Sequence, residues 1–165
     1  MESTIYSYRL VKKIPHHLIF ELLFALLFLL LFLWNLTQNR ALPYIICYPA
    51  VFVLHIVITQ CYRTFIWSPT KGIWSFKFGI YWCGLLPDGY TPLQKIIKIQ
   101  LHLLAIGLFM IAITVPWLGG VHALNLLYIH LWIMLPRLWV LWRSKPYKVE
   151  GLIKISARDS SCYLQ

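Results

Sequence analysis

Histidine is the residue type through which this chain could do chemistry. His17, His55, His102, His122 and His130 all fall in or at the ends of long apolar runs, where ionisable side chains are scarce and mark functional sites. At a helical rise of 1.5 Å per residue, His55 lies about 16 Å from the Tyr44 end of its run and His130 about 14 Å from the Val121 end of its own. Both depths reach the middle of a hydrocarbon layer about 30 Å thick. His17 and His102 share a second depth near the opposite surface, whereas His122 has no histidine of another run beside it. Two neutral imidazoles facing each other across a helix bundle form the bis-axial ligand set of a b-type haem, and surrounding Leu, Ile and Phe would supply its pocket. The candidate ligands are therefore His55 with His130, and His17 with His102. The alternative is that each imidazole bonds a neighbouring helix or stays at the interface. Glu21, four residues after His17, shares its helix face; it could orient that imidazole or reach back to the headgroups.

Other chemistry has no visible machinery. There is no Ser/His/Asp arrangement, HExxH, P-loop, GxxxG or internal repeat, and no pair of acids within an apolar run. Cys47, Cys61, Cys83 and Cys162 are scattered without metal-ligand spacing and read as small, weakly polar side chains. No metal is expected beyond a haem iron, and catalysis by the chain alone is not expected.

The elements that must hold these histidines follow from composition. At 60% hydrophobic and 12% charged residues, with a mean hydropathy of +0.70, the chain lies in the range of polytopic membrane proteins. The expected fold is all-α: one membrane domain over residues 1–165, a four-transmembrane-helix bundle with spans at about 17–36, 43–62, 96–116 and 121–141. The first apolar run exceeds a usual signal-peptide core and lacks small residues at a cleavage site, so it is expected to stay as an anchor. Pro49 predicts a kink in the second span. Trp74, Phe78, Tyr81 and Leu85 recur at helical spacing, which predicts an amphipathic interfacial helix over about 71–86 in the central loop. Pro87-Asp88-Gly89 then reads as a turn. Residues 142–165 form the expected tail, mobile from 156 onward.

The net charge of +10 would suggest nucleic acid in a soluble protein. Here all fifteen Lys and Arg except Arg40 fall on one side of the expected spans. That is the positive-inside pattern, which predicts a multi-pass protein of the cell inner membrane with both termini cytoplasmic and no nucleic-acid partner. Trp34, Trp117, Trp139 and Trp142, near span ends, fit an aromatic belt.

Tyr90-Thr91-Pro92-Leu93-Gln94-Lys95, directly before the third span, resembles the Tyr-Asn-Pro-Leu-Gln-Lys/Arg stretch of the prokaryotic membrane b-type cytochromes, the haem-bearing anchor subunits of formate dehydrogenases, thiosulfate reductases and nickel-iron hydrogenases. The His16-His17 pair, after basic residues at the start of the first span, looks like the first haem ligand of that family. Residues 44–48 stand where its second span carries a histidine. The resemblance implies haem b and electron transfer between a quinone and a membrane or peripheral redox protein. The competing expectation is a small non-enzymatic membrane protein, an accessory subunit or an immunity or exclusion factor, that works by helix packing against another membrane protein.

Overall fold

A computed structural model describes residues 8–65 and 73–164. Its frame is four long helices: α1 (Leu18–Thr37), α2 (Ala41–Phe65), α3 (Leu93–Leu118) and α4 (Gly120–Ser144), each long and apolar enough to cross a membrane. Each follows its expected span, and α2 and α3 run on through flanking polar residues such as Arg63 and Lys95, because a helix need not stop where its apolar stretch does. Between α1 and α2 the chain reverses within residues 38–40. Asn39 takes the left-handed conformation (φ 56°), which Asn tolerates better than most residues, and the Arg40 N–H closes the turn on the Asn35 carbonyl. Gly119 alone joins α3 to α4, at φ 76°, a value that favours glycine.

The expectation of an all-α chain is corrected at the other end of the bundle. There β1 (Arg9–Pro15), β4 (Thr91–Pro92), β5 (Gly151–Ile155) and β6 (Asp159–Leu164) form an antiparallel sheet in the order β1-β6-β5-β4. Ile14 pairs with Ser160, Ile153 with Cys162, and Thr91 with Ile153. The two terminal segments are therefore neighbours, at one end of the bundle. The mobile tail is corrected too: β6 is an interior strand, and its Ser160, Ser161 and Cys162 are buried. Tyr90-Thr91-Pro92-Leu93 turns out to be the junction where the sheet hands the chain to α3.

The interfacial helix is likewise corrected. β2 (Trp74–Lys77) and β3 (Gly84–Pro87) pair as an antiparallel hairpin, Trp74 opposite Pro87 and Lys77 opposite Gly84. Trp74-Ser75-Phe76-Lys77-Phe78 alternates apolar with polar, and this period of two prevailed over the sparser helical spacing. Lys71, at the start of the expected helix, lies outside the described residues. Gly89 takes φ 81° in the turn after β3, as the Pro-Asp-Gly sequence predicts.

Two apolar cores result. One joins the sheet and hairpin to the near ends of α3 and α4 through Tyr81, Trp82, Leu93, Ile96, Val140 and Ile153. The other lies among the helices, around Tyr44, Val51, Leu103, Ile129 and Met134.

Candidate functional site

On α2 the buried residues Tyr44, Cys47, Val51, His55 and Thr59 recur at three- and four-residue spacing and form one stripe. Matching stripes on α3 (Gln100, Leu103, Gly107) and α4 (His130, Ile133, Met134, Arg137) meet it. The connectivity makes α2 and α4 run in the same direction, so equal distances from their starts mean equal depth. His55 and His130 meet there, as their depths predict: His55 Nε2 and His130 Nδ1 are 2.8 Å apart, with the rings edge to face. His130 Nε2 lies 3.2 Å from the Leu104 carbonyl. A carbonyl only accepts, so this nitrogen carries the proton; in a neutral ring Nδ1 then accepts, and His55 Nε2–H donates to it. Gly107 makes room for the ring, since a Cβ there would sit 2.2 Å from His130 Cε1. The remaining nitrogen, His55 Nδ1, is buried with no hydrogen-bond partner among the described residues.

Towards the sheet lies a group that the sequence placed in the fourth span and counted among the cytoplasmic cations. Arg137 is only 3% exposed. Its Nη2 donates to the Cys83 carbonyl, in the loop of the hairpin, and its Nη1 to Gln100 Oε1 at 3.4 Å. Among the described residues Nε has no partner, and no carboxylate lies within ion-pair distance of the guanidinium. The signal was present in the sequence. Arg137 follows His130 by seven residues, two helical turns, which puts both on one face. Together these side chains make a buried polar column from the Leu104 carbonyl through the two imidazoles, with Gln100 and Arg137 beyond, to the hairpin.

The second expected pair does not form. His17 precedes α1 and is exposed, His102 is exposed on α3 with its ring 5.6 Å from that of Tyr62, and no hydrogen bond or ring contact joins them. His16 belongs to the sheet end. Its Nδ1 lies 3.2 Å from the Ala157 carbonyl and its Nε2 3.1 Å from Ser160 Oγ, which also accepts from Trp82 Nε1. Its ring stacks on Tyr81. Burial pushes the His16 imidazole below its ordinary pKa, partly offset by the Ala157 carbonyl. His122 lines an apolar cleft of about 570 Å³ between α2, α3 and α4, with Ala50, Met110 and Leu126. All four cysteines are free thiols.

A haem iron between His55 and His130 would need their nitrogens about 4 Å apart, twice a metal–imidazole bond of about 2 Å. At 2.8 Å the two nitrogens bond each other. The second nitrogen of His130 is committed to Leu104, and the ring is wedged against Gly107. In this arrangement the pair does not fit the group. Comparison with protein-family models, curated proteins and solved structures finds no match for this chain.

Proposed function

We propose that this chain is a non-enzymatic accessory protein of the cell inner membrane, of the immunity or exclusion kind, that acts by packing its helices against another membrane protein. One observation carries the reading. Polar side chains within membrane helices ordinarily mark a path for substrate, ion or cofactor, but here the bonds they make are to the fold, His55 to His130, His130 to Leu104, and Arg137 to Gln100 and Cys83, with His55 Nδ1 and Arg137 Nε left over among the described residues. The cation asymmetry supports a sheet that faces the cytoplasm, with Arg40 at the far end of the bundle.

The competing reading, an electron carrier of b-type cytochrome character working with quinone and a redox partner, rests on the meeting of His55 and His130. It requires the two rings to part. A reduced-minus-oxidised optical spectrum of the full chain, expressed with haem supplied, separates the two. The accessory reading expects no haem band, together with a membrane protein recovered by cross-linking in intact membranes. A haem band lost in both His55→Ala and His130→Ala would overturn it in favour of the cytochrome.

A further inference from the structure

At the sheet end a second, smaller cleft of about 140 Å³ opens between the start of α1, the hairpin loop and the turn after β5. Its walls include the rings of Phe76, Phe78, Tyr81 and Trp82, with Glu21 and Lys77 among the polar side chains. Tyr81 and Trp82 are 2% and 3% exposed and form its floor, whereas Phe78 is 81% exposed and stands at its rim.

Glu21 lies in the first turn of α1, one residue after Phe20, in a helix otherwise built of Leu and Phe. The nearby cations do not neutralise it. Lys77 is held by Asp88, and among the described residues that is the ion pair the hairpin makes. His16 has both ring nitrogens engaged by Ala157 and Ser160. A carboxylate in a cleft lined by aromatic rings, with no ion pair to it among the described residues, is a combination that recognises an organic ammonium group. The faces of Phe76 and Phe78, 40% and 81% exposed, attract the positive charge, and the carboxylate completes the pairing, while Tyr81, stacked on His16 and Phe20, only closes the floor. The cleft is below the usual size of a small-molecule pocket, so it takes a headgroup-sized piece and not a nucleotide. Its place, where the helices leave their apolar stretch, puts it at the level of lipid headgroups. Lys77 adds the second half of the match, because an ammonium with three donors can keep Asp88 and still bind a phosphate oxygen.

We propose that this cleft binds the ammonium of an amine-headgroup phospholipid, with Glu21 and the aromatic rings on the ammonium and Lys77 on the phosphate. The site rests on the helices crossing a membrane and is independent of which protein, if any, they pack against.

The test is native mass spectrometry of the full chain in detergent, offered phosphatidylethanolamine and phosphatidylglycerol of identical acyl chains. The wild type should retain the ethanolamine lipid about tenfold better, and Glu21→Gln, which keeps the shape and removes the charge, should abolish that preference. Phe78→Ala, at an exposed ring that the fold does not bury, should weaken it and serves if Glu21→Gln does not insert. Competition by soluble phosphoethanolamine separates the sources of the ammonium. No displacement assigns the lipid; displacement with the same Glu21 dependence keeps the ammonium site but assigns a free amine. Equal retention of both lipids by the wild type, or a preference unchanged in both variants, overturns the proposal.

Discussion

The sheet end and the helix bundle are both packed cores, but different physics holds them. At the sheet end the strands expose Arg9, Leu10, Lys13 and Lys154. Burying Ile14, Ile153 and Ile155 against Trp82, Leu93 and Val140 removes apolar surface from water, and that transfer drives the assembly. Among the helices the surroundings are as apolar as the core, so leucine burial supplies little, and association depends on close packing and on hydrogen bonds between helices. The bundle uses both. Gly107 brings α3 against His130. Asn125 donates to Asn35 at 3.0 Å, and Trp132 Nε1 to the Phe24 carbonyl at 3.2 Å, which fasten α4 to α1. Only 6% of the most apolar stretch of α1 is buried, against 50% for α4, so α1 is held at a few polar points and by aromatic contacts such as Phe28 on Trp132.

This contrast makes its largest prediction at the sheet end. Ile153 is 1% exposed, between Cys162 on β6 and Thr91 on β4. Ile153→Ala should cost about 2–5 kcal/mol, the usual price of a buried isoleucine, read as earlier denaturant unfolding of the sheet by Trp82 fluorescence.

The second prediction sharpens the comparison from the bundle. His55→Leu removes the interhelical bond to His130 and leaves only a lone pair on that ring unmatched, while Leu fills much of the same volume. Hydrogen bonds between membrane helices are worth about 0.6 kcal/mol on average and about 1.7 at most. The loss, measured by unfolding in mixed micelles, should therefore be smaller than that of Ile153→Ala. A reversal of the order would mean that the polar column, and not the sheet, is the stronger core.

What the sequence made legible follows the same division. The four helices were readable because about twenty apolar residues in succession have one structural solution in a membrane. The meeting of His55 and His130 was readable because depth along a helix is arithmetic. The sheet was not, although Ile153-Lys154-Ile155-Ser156 alternates apolar with polar. Its partners stand at residues 9–15, 91–92 and 159–164, and pairing across such separations leaves no local pattern beyond short runs that composition assigned to loops. Arg137 was missed for another reason: counting cations by side treats each as solvated, and its two-turn spacing from His130 gives the shared face but not the hairpin loop whose Cys83 carbonyl receives it. Sequence spacing set Glu21 beside His17, but it could not show the hairpin loop closing over the first turn of α1.

The smallest effect belongs to the contact between Lys77, at the loop end of β2, and Asp88, just after β3. The pair is partly solvated, with 26% and 36% of the two side chains exposed, so solvent screening holds it to about 0.2–1 kcal/mol. The hydrogen bond from Lys77 holds the Asp88 carboxyl below the ordinary aspartate range. A carboxyl depressed on folding stabilises the folded state at pH above its unfolded value and loses that contribution as the pH falls through its folded value. Asp88→Asn should therefore loosen the hairpin at neutral pH, seen as faster hydrogen exchange at residues 84–86 after correction for the intrinsic rate. The wild type should approach the variant as the pH drops below about 4, while the bundle amides stay unchanged in both. If the difference survived full acidification, the carboxylate would not be its source. The hairpin would then depend on its apolar face, and the sheet end would be even more uniformly a product of burial than its contrast with the bundle implies.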